Sequence, residues 1–287
     1  GDPISGNQSL KNFGTRKGMY LDLAYFDWKP AALPGLGISA GKTKNPFICV
    51  GDHLWDSDYN PEGIGLNYAV GGDVKLMVNG GYHWIQERSA DDDSMMYGGQ
   101  LALNVKAGEM STVTFGGSYY GFTEVEGRQV FDWQGEERSY GNSTVNLIDG
   151  TTTNKAYANG FGTAEGFVQV AFDVAIPVTV FGSYAVNGEA DEDDTGFMAG
   201  IKLGNAKEPG TFEFGYDYRK MEANVFPGAF TDSDSFGGGT DAQGHRFKAA
   251  YQIHKNFQSA VTFFLNEKKI SNPHDYNRLQ VDLIAKF

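Results

Sequence analysis

Arg278-Leu279-Gln280-Val281-Asp282-Leu283-Ile284-Ala285-Lys286-Phe287 alternates with a period of two. Leu279, Val281, Leu283, Ala285 and Phe287 fall on one side; Arg278, Gln280, Asp282 and Lys286 fall on the other, with Ile284 the exception. Successive side chains of a β-strand point to opposite faces, so the segment reads as a strand with one apolar and one polar face. The pattern recurs upstream. Phe247, Ala249, Tyr251 and Ile253 oppose Arg246, Lys248 and Gln252, while Phe212, Phe214, Tyr216 and Tyr218 oppose Glu213, Asp217 and Arg219. Val168, Val170, Phe172 and Val174 oppose Gln169 and Asp173, and Leu101, Leu103 and Val105 oppose Gln100, Asn104 and Lys106. About thirteen strands are predicted, near 18–29, 35–42, 63–70, 73–87, 95–106, 110–124, 165–175, 177–187, 195–204, 210–225, 244–254, 257–268 and 277–287. Most run about ten residues, the length a tilted strand needs to cross a bilayer.

Composition agrees with this pattern. The 287 residues have a mean hydropathy of −0.38, and no run of about 18 apolar residues exists, so a transmembrane helix is excluded. A β-barrel escapes that test, because alternating strands average out as hydrophilic. The 39 Gly, 21 Phe and 15 Tyr against only 9 Pro suit a tilted, curved sheet. A net charge of −13 argues against nucleic acid as a partner. The single cysteine, Cys49, rules out an internal disulfide framework and a Cys-based zinc site.

The connections alternate in length. Lys42–Glu62, Glu87–Ser94, Val125–Ala164, Gly188–Asp194, Phe226–Gln243 and Glu267–Tyr276 are long. Pro30–Pro34, Gly71-Gly72, Lys106–Glu109, Ile176-Pro177, Asn205–Gly210 and His254–Asn256 are short. The expected fold is therefore all-β: a transmembrane antiparallel β-barrel of the bacterial outer membrane, with long outer loops and short periplasmic turns. A soluble sandwich or lipocalin-like barrel also alternates, but thirteen strands are too many for a lipocalin. Aromatic residues near strand ends (Tyr25, Trp28, Phe122, Phe167, Tyr184, Phe197, Phe257) are expected to form girdles on the lipid face. Thirteen is odd, whereas single-chain bacterial barrels have even counts and periplasmic termini. The expectation is that N-terminal strands precede Gly1, together with any signal peptide: three of them, for a barrel of sixteen, or one, for fourteen. A final strand ending in Phe287 fits the usual export and assembly signal of such barrels.

Gly41-Lys42-Thr43-Lys44-Asn45-Pro46-Phe47 and Leu54-Trp55-Asp56-Ser57-Asp58-Tyr59-Asn60-Pro61-Glu62-Gly63 resemble the "putative porin" family of Gram-negative outer membranes. Gly1-Asp2-Pro3-Ile4-Ser5-Gly6-Asn7-Gln8-Ser9-Leu10 and Leu21-Asp22-Leu23-Ala24-Tyr25-Phe26-Asp27-Trp28 are similar to it as well. The resemblance implies a water-filled channel for small polar solutes and ions, with no catalytic residues and no cofactor. In general porins a loop in the position of Lys42–Glu62 folds into the lumen. Its acids Asp52, Asp56, Asp58 and Glu62 are candidates for a pore constriction, facing wall bases Lys75, Lys106, Lys202, Arg219, Arg246 and Lys248. Opposed charge across a bore sets up a transverse field that orients dipolar solutes. Class resemblance also implies a homotrimer set in the lipid bilayer.

Other signals are weaker. Asp56-x-Asp58-x-Asn60 resembles the start of a calcium loop, but Pro61 occupies the position that needs Gly. The acidic loops at Asp91-Asp92-Asp93, Asp191-Glu192-Asp193-Asp194 and 232–241 could hold divalent ions that bridge lipopolysaccharide, although such runs are more often solvated tips. The five histidines show no metalloenzyme spacing, so no metal site and no enzyme activity are expected. The alternatives are a substrate-specific channel, or a plugged barrel in which Glu126–Thr163 acts outside as adhesin or scaffold.

Overall fold

The computed structural model describes residues 4–5, 18–89, 91–131, 138–149 and 152–286. Thirteen strands form one antiparallel sheet in up-and-down order. They are β1 (Ala24–Trp28), β2 (Leu36–Lys42), β3 (Glu62–Gly71), β4 (Val74–Gln86), β5 (Ser94–Lys106), β6 (Ser111–Phe122) and β9 (Phe161–Phe172). The remainder are β10 (Val178–Asn187), β11 (Thr195–Gly204), β12 (Phe212–Met221), β13 (Ala242–His254), β14 (Phe257–Lys268) and β15 (His274–Ala285). Every strand expected from alternation is present. Two more were missed. β7 (Thr144–Asp149) and β8 (Thr152–Tyr157) pair with each other inside the long excursion between β6 and β9. That excursion leaves the sheet uninterrupted, because Phe122 pairs with Phe161 and Ser111 with Phe172. Among the described residues β1 and β15 each have one neighbour, so the sheet is open between them.

The registers put all long connections at one end of the sheet and all short ones at the other. Gly71 pairs with Lys75 across three residues, and His254 with Phe257 across two. Phe287, expected at that same end, lies outside the described residues, as does most of the segment before Gly18.

The two faces invert the arrangement of a soluble protein. Leu101, Val281 and Leu283 are 60%, 71% and 69% exposed, whereas inward-facing Gln100 and Arg219 are each 2% exposed. An exposed apolar band around a polar interior is the arrangement a bilayer demands. Three of the expected girdle aromatics face inward instead. Phe122 and Phe167 are buried, and Tyr25 lines an interior cleft with Asp27 and Asn67. Alternation identifies the two faces of a strand, but an inward apolar residue keeps its place when a loop packs over it.

Loops supply that packing. Residues 43–61 and 222–241, with the start of the excursion after β6, fold between the strands at the long-loop end. Their apolar side chains make one core in which Phe47, Trp55, Phe226 and Phe230 meet Tyr120 and Phe122 of β6. Trp55 stacks on Tyr59 at 5.5 Å and meets Phe226 edge-on at 4.9 Å between centroids. The long-loop half of the interior is packed with these apolar side chains. The short-turn half carries polar side chains.

Candidate functional site

The loop 43–61 crosses the interior and is held at both walls. On one wall, polar inward residues of successive strands stand opposite one another: Asn67 of β3, Asn79 of β4, Gln100 of β5, Ser118 of β6 and Glu165 of β9. Asn67 Nδ2 donates to Asn79 Oδ1 at 2.8 Å, and Asn79 Nδ2 to Gln100 Oε1 at 2.7 Å. Gln100 Nε2 donates to Ser118 Oγ at 2.9 Å, and Ser118 Oγ and Tyr120 OH each reach Glu165 Oε2 at 3.3 Å. The ladder then grips the loop backbone. Gln100 accepts from Ile48 N–H at 2.8 Å and donates to Ile48 O at 3.0 Å, while Asn67 donates to Pro46 O at 2.7 Å. Asn79 and Gln100 are buried with the oxygen and nitrogen of each amide bonded, and such a pair is rigid, because each unmade bond would leave an unsatisfied group.

On the other wall the grip is ionic. Arg219 of β12 donates through Nη2 to Gly51 O at 3.1 Å and through Nη1 to Asp52 O at 3.2 Å. The same guanidinium pairs with Asp217 at 2.9 Å and with Asp232 at 3.1 Å. Arg246 of β13 adds Asp217 at 2.7 Å, Asp232 at 3.6 Å and Asp52 at 3.7 Å. Two arginines and three carboxylates therefore share one buried cluster at the loop tip. The tip turns sharply there, with φ of +64° at Gly51 and +59° at Asp52. A Cβ at Gly51 would press on Met198 and Phe181 as well as straining the positive φ, so the turn favours glycine. His53 completes the contact, with Nδ1 2.8 Å from Ser183 Oγ of β10.

Burial sets the charge states of these loop groups. His53 is pulled down to about 3 by burial, with Arg219 adding, so the ring stays neutral. Asp52 is pushed up by burial and by Asp232. Asp232 ends lower than usual, because Arg219 and Arg246 outweigh its burial. Asp56 lies in the seam between the two inserted loops. Its carboxylate accepts from Ser233 N–H at 2.8 Å and Asp58 N–H at 2.7 Å, while its own N–H donates to Phe230 O at 2.8 Å. Burial still wins and raises Asp56 to about 7.

Asp56 thus binds its proton more tightly folded than unfolded. Its stabilising contribution is full below the unfolded carboxylate value of about 3.9 and is lost as pH rises through about 7. Hydrogen exchange at amides 43–61 is expected to gain a step, beyond its intrinsic pH dependence, that builds between about pH 4 and about pH 7 and levels off above. Asp56→Asn is expected to remove that step, and a step of equal size in the variant would assign the titration elsewhere.

The proposed constriction residues do not form one opposed pair of surfaces. Asp52 joins Arg219 and Arg246 at the tip. Asp56 is hidden in the seam, Asp58 is exposed beside it, and Glu62 opens β3 at the outer rim, opposite Lys42. Lys202 and Lys248 both approach Glu213 at 3.9 Å, in the polar half of the interior. Lys106 pairs with Asp73 at 3.3 Å at the short-turn rim, where Lys75 is exposed. Among the described residues no group of three or more metal-ligating side chains is assembled. Sequence reasoning missed the amide ladder and the place of Asp232. The ladder had a signal: uncharged polar residues at inward positions of consecutive strands, visible once the strands are aligned in register.

Residues 1–181 and 137–287 match the family described as "Putative porin", in two overlapping segments that together span the chain. The chain belongs to that family. Among solved structures, this porin is similar to Wzi of Escherichia coli, described as an outer-membrane protein involved in group 1 capsule assembly and a carbohydrate-binding β-barrel. The likeness has a TM-score of 0.55 at 13% identity and covers 91% of this chain. It shows the fold alone. The porin spans 61% of the length of that structure. A double variant of OccD1 (OprD) is similar at a TM-score of 0.36 and 11% identity, covering 88% of this chain and 75% of the other. No curated protein matches by sequence.

Proposed function

We propose that this porin is a non-enzymatic channel of the bacterial outer membrane, through which small hydrophilic solutes and ions diffuse. The observation that carries the reading is the loop 43–61, bonded to both walls between the strands, the position from which it would narrow a water-filled bore. Asp52, Arg219 and Arg246 stand at its tip, with the Lys202–Glu213–Lys248 group in the polar half. Strand edges left unpaired cannot face hydrocarbon, because each bare N–H and C=O there costs several kcal/mol. In the membrane the edges of β1 and β15 are therefore paired or covered.

Cys49 supplies the test. It is the sole cysteine and lies exposed on the inserted loop. Although its surface is open to solvent, the protein packed around the loop, with Glu165 and Asp52 adding, pushes its thiol up, so labelling is slow. Attaching a bulky cationic methanethiosulfonate at Cys49 is expected to at least halve unit conductance in planar bilayers. Cys49→Ser is expected to conduct normally and to ignore the reagent. Unchanged conductance in protein shown by mass to be fully labelled would place the loop outside the conduction path.

The aromatic core that fills the outer half of the interior favours a second reading, a plugged barrel acting at the cell surface. The same recordings separate the two, because a plugged barrel gives no discrete conductance steps even before labelling.

A further inference from the structure

A cleft of about 310 Å³ opens where the inserted loops meet the outer ends of β2, β3 and β4, away from the ionic cluster. Tyr59 and Phe230 are part of its lining, with ring centroids 5.1 Å apart, and Trp84, half-exposed, lines it as well. Its buried polar atoms left without a partner are acceptors. Asn60 is 4% exposed; its Nδ2 donates to Asp22 Oδ1 at 2.7 Å, and its Oδ1 is buried with no partner. Gln86 Oε1 is buried without a partner too. Glu62, at the first position of β3, adds an exposed carboxylate. Lys42 is the one cation in the lining among the described residues, and its Nζ already donates to Asn60 O at 2.9 Å.

Buried acceptors left unpaired cost free energy, and a ligand donating to them recovers it. Convergent polar groups beside aromatic faces are the usual make-up of a small-molecule site. The complementary ligand carries several O–H donors on a ring with apolar C–H faces and has no negative charge, since Glu62 would repel an anion and Lys42 is engaged. We infer that this cleft binds a neutral sugar unit at the outer surface of the porin, with Trp84 as the stacking face and Asn60, Gln86 and Glu62 accepting from its hydroxyls. The site does not depend on conduction and holds whether the barrel is open or plugged.

Titration calorimetry on the whole porin, in a detergent without a sugar head group, tests this. The probes are methyl α-D-glucopyranoside and maltose as free sugars, dextran as a glycan, and choline and sulfate as charged comparisons. Saturable binding in the millimolar range is expected for the sugars. Tighter binding of dextran would point to a surface glycan as the source, and tighter binding of maltose to a diffusing solute; either supports the site. Trp84→Ala and Glu62→Gln are expected to weaken binding at least ten-fold, and Trp84→Phe to recover most of it. Asp191→Asn, in the distant loop after β10, is expected to change nothing. Heat-modifiable migration on gels verifies that each variant is folded. The inference is overturned if no sugar gives saturable heat, if folded Trp84→Ala and Glu62→Gln bind like the parent, or if choline or sulfate binds more tightly than the sugars.

Discussion

Arg219→Ala is expected to cost about 3–5 kcal/mol of unfolding free energy, the largest loss from any single change in the interior. The side chain is 2% exposed and bonds to Asp217, to Asp232 and to the carbonyls of Gly51 and Asp52. Truncation leaves two buried carboxylates sharing only Arg246 as a cation, Asp52 O without its guanidinium donor, and Gly51 O with only the 3.4 Å bond from Arg246. An uncompensated buried charge costs far more than the net worth of the pair it came from. Arg219→Lys should fall between, because a point charge cannot reproduce the forked contacts. Arg246→Ala should also cost less, since that side chain is 21% exposed and water can replace part of it. Urea unfolding in lipid vesicles, followed by tryptophan fluorescence, gives the differences. A loss below about 1 kcal/mol for Arg219→Ala would mean that water already solvates the cluster and the loop tip is not latched.

The second large effect separates the two faces of one strand. Val168 of β9 points outward at 44% exposure in mid-strand, and its neighbour Gln169 points inward. Val168→Arg is expected to cost about 2–4 kcal/mol, because the guanidinium enters the apolar band, and Gln169→Arg about 0–1 kcal/mol, because it enters a wet interior. Equal costs would mean that the strand does not face lipid. The same unfolding assay reads both.

Strand positions were legible because alternation is enforced twice over, by lipid outside and by polar contacts inside. Leu101 beside Gln100 and Phe214 beside Glu213 left no doubt about the period. Loop behaviour was legible only in part. Resemblance to general porins, not any local signal, suggested that Lys42–Glu62 turns inward, and Asp52 does meet Arg219 and Arg246. Nothing local distinguished Asp56, buried in a seam, from Asp58, exposed two residues on, because the difference comes from Ser233 and Phe230, far away in sequence. The hairpin at 144–157 escaped notice for a related reason. Its alternation, with Val145 and Leu147 around Asn146, is short, and it lies within a span long enough to read as one connection. Tyr25, Phe122 and Phe167 show the opposite failure: apolar residues near strand ends suit a lipid girdle and a packed interior equally well.

The clasp on the loop tip also constrains the order in which the chain assembles. The contacts that hold Ile48 to Gln100 join residues 52 apart, whereas those from Arg219 and Arg246 to Gly51 join residues 168 and 195 apart. Closing a longer loop costs more chain entropy, and non-local pairings form late. The segment therefore docks on the β3–β6 wall while the far wall is still missing, and its ionic side waits for β12 and β13. Until then the interior stays hydrated and the strands pair around water. Sealing comes last, and the slowest phase of folding should report the arrival of two arginines rather than the pairing of any strand.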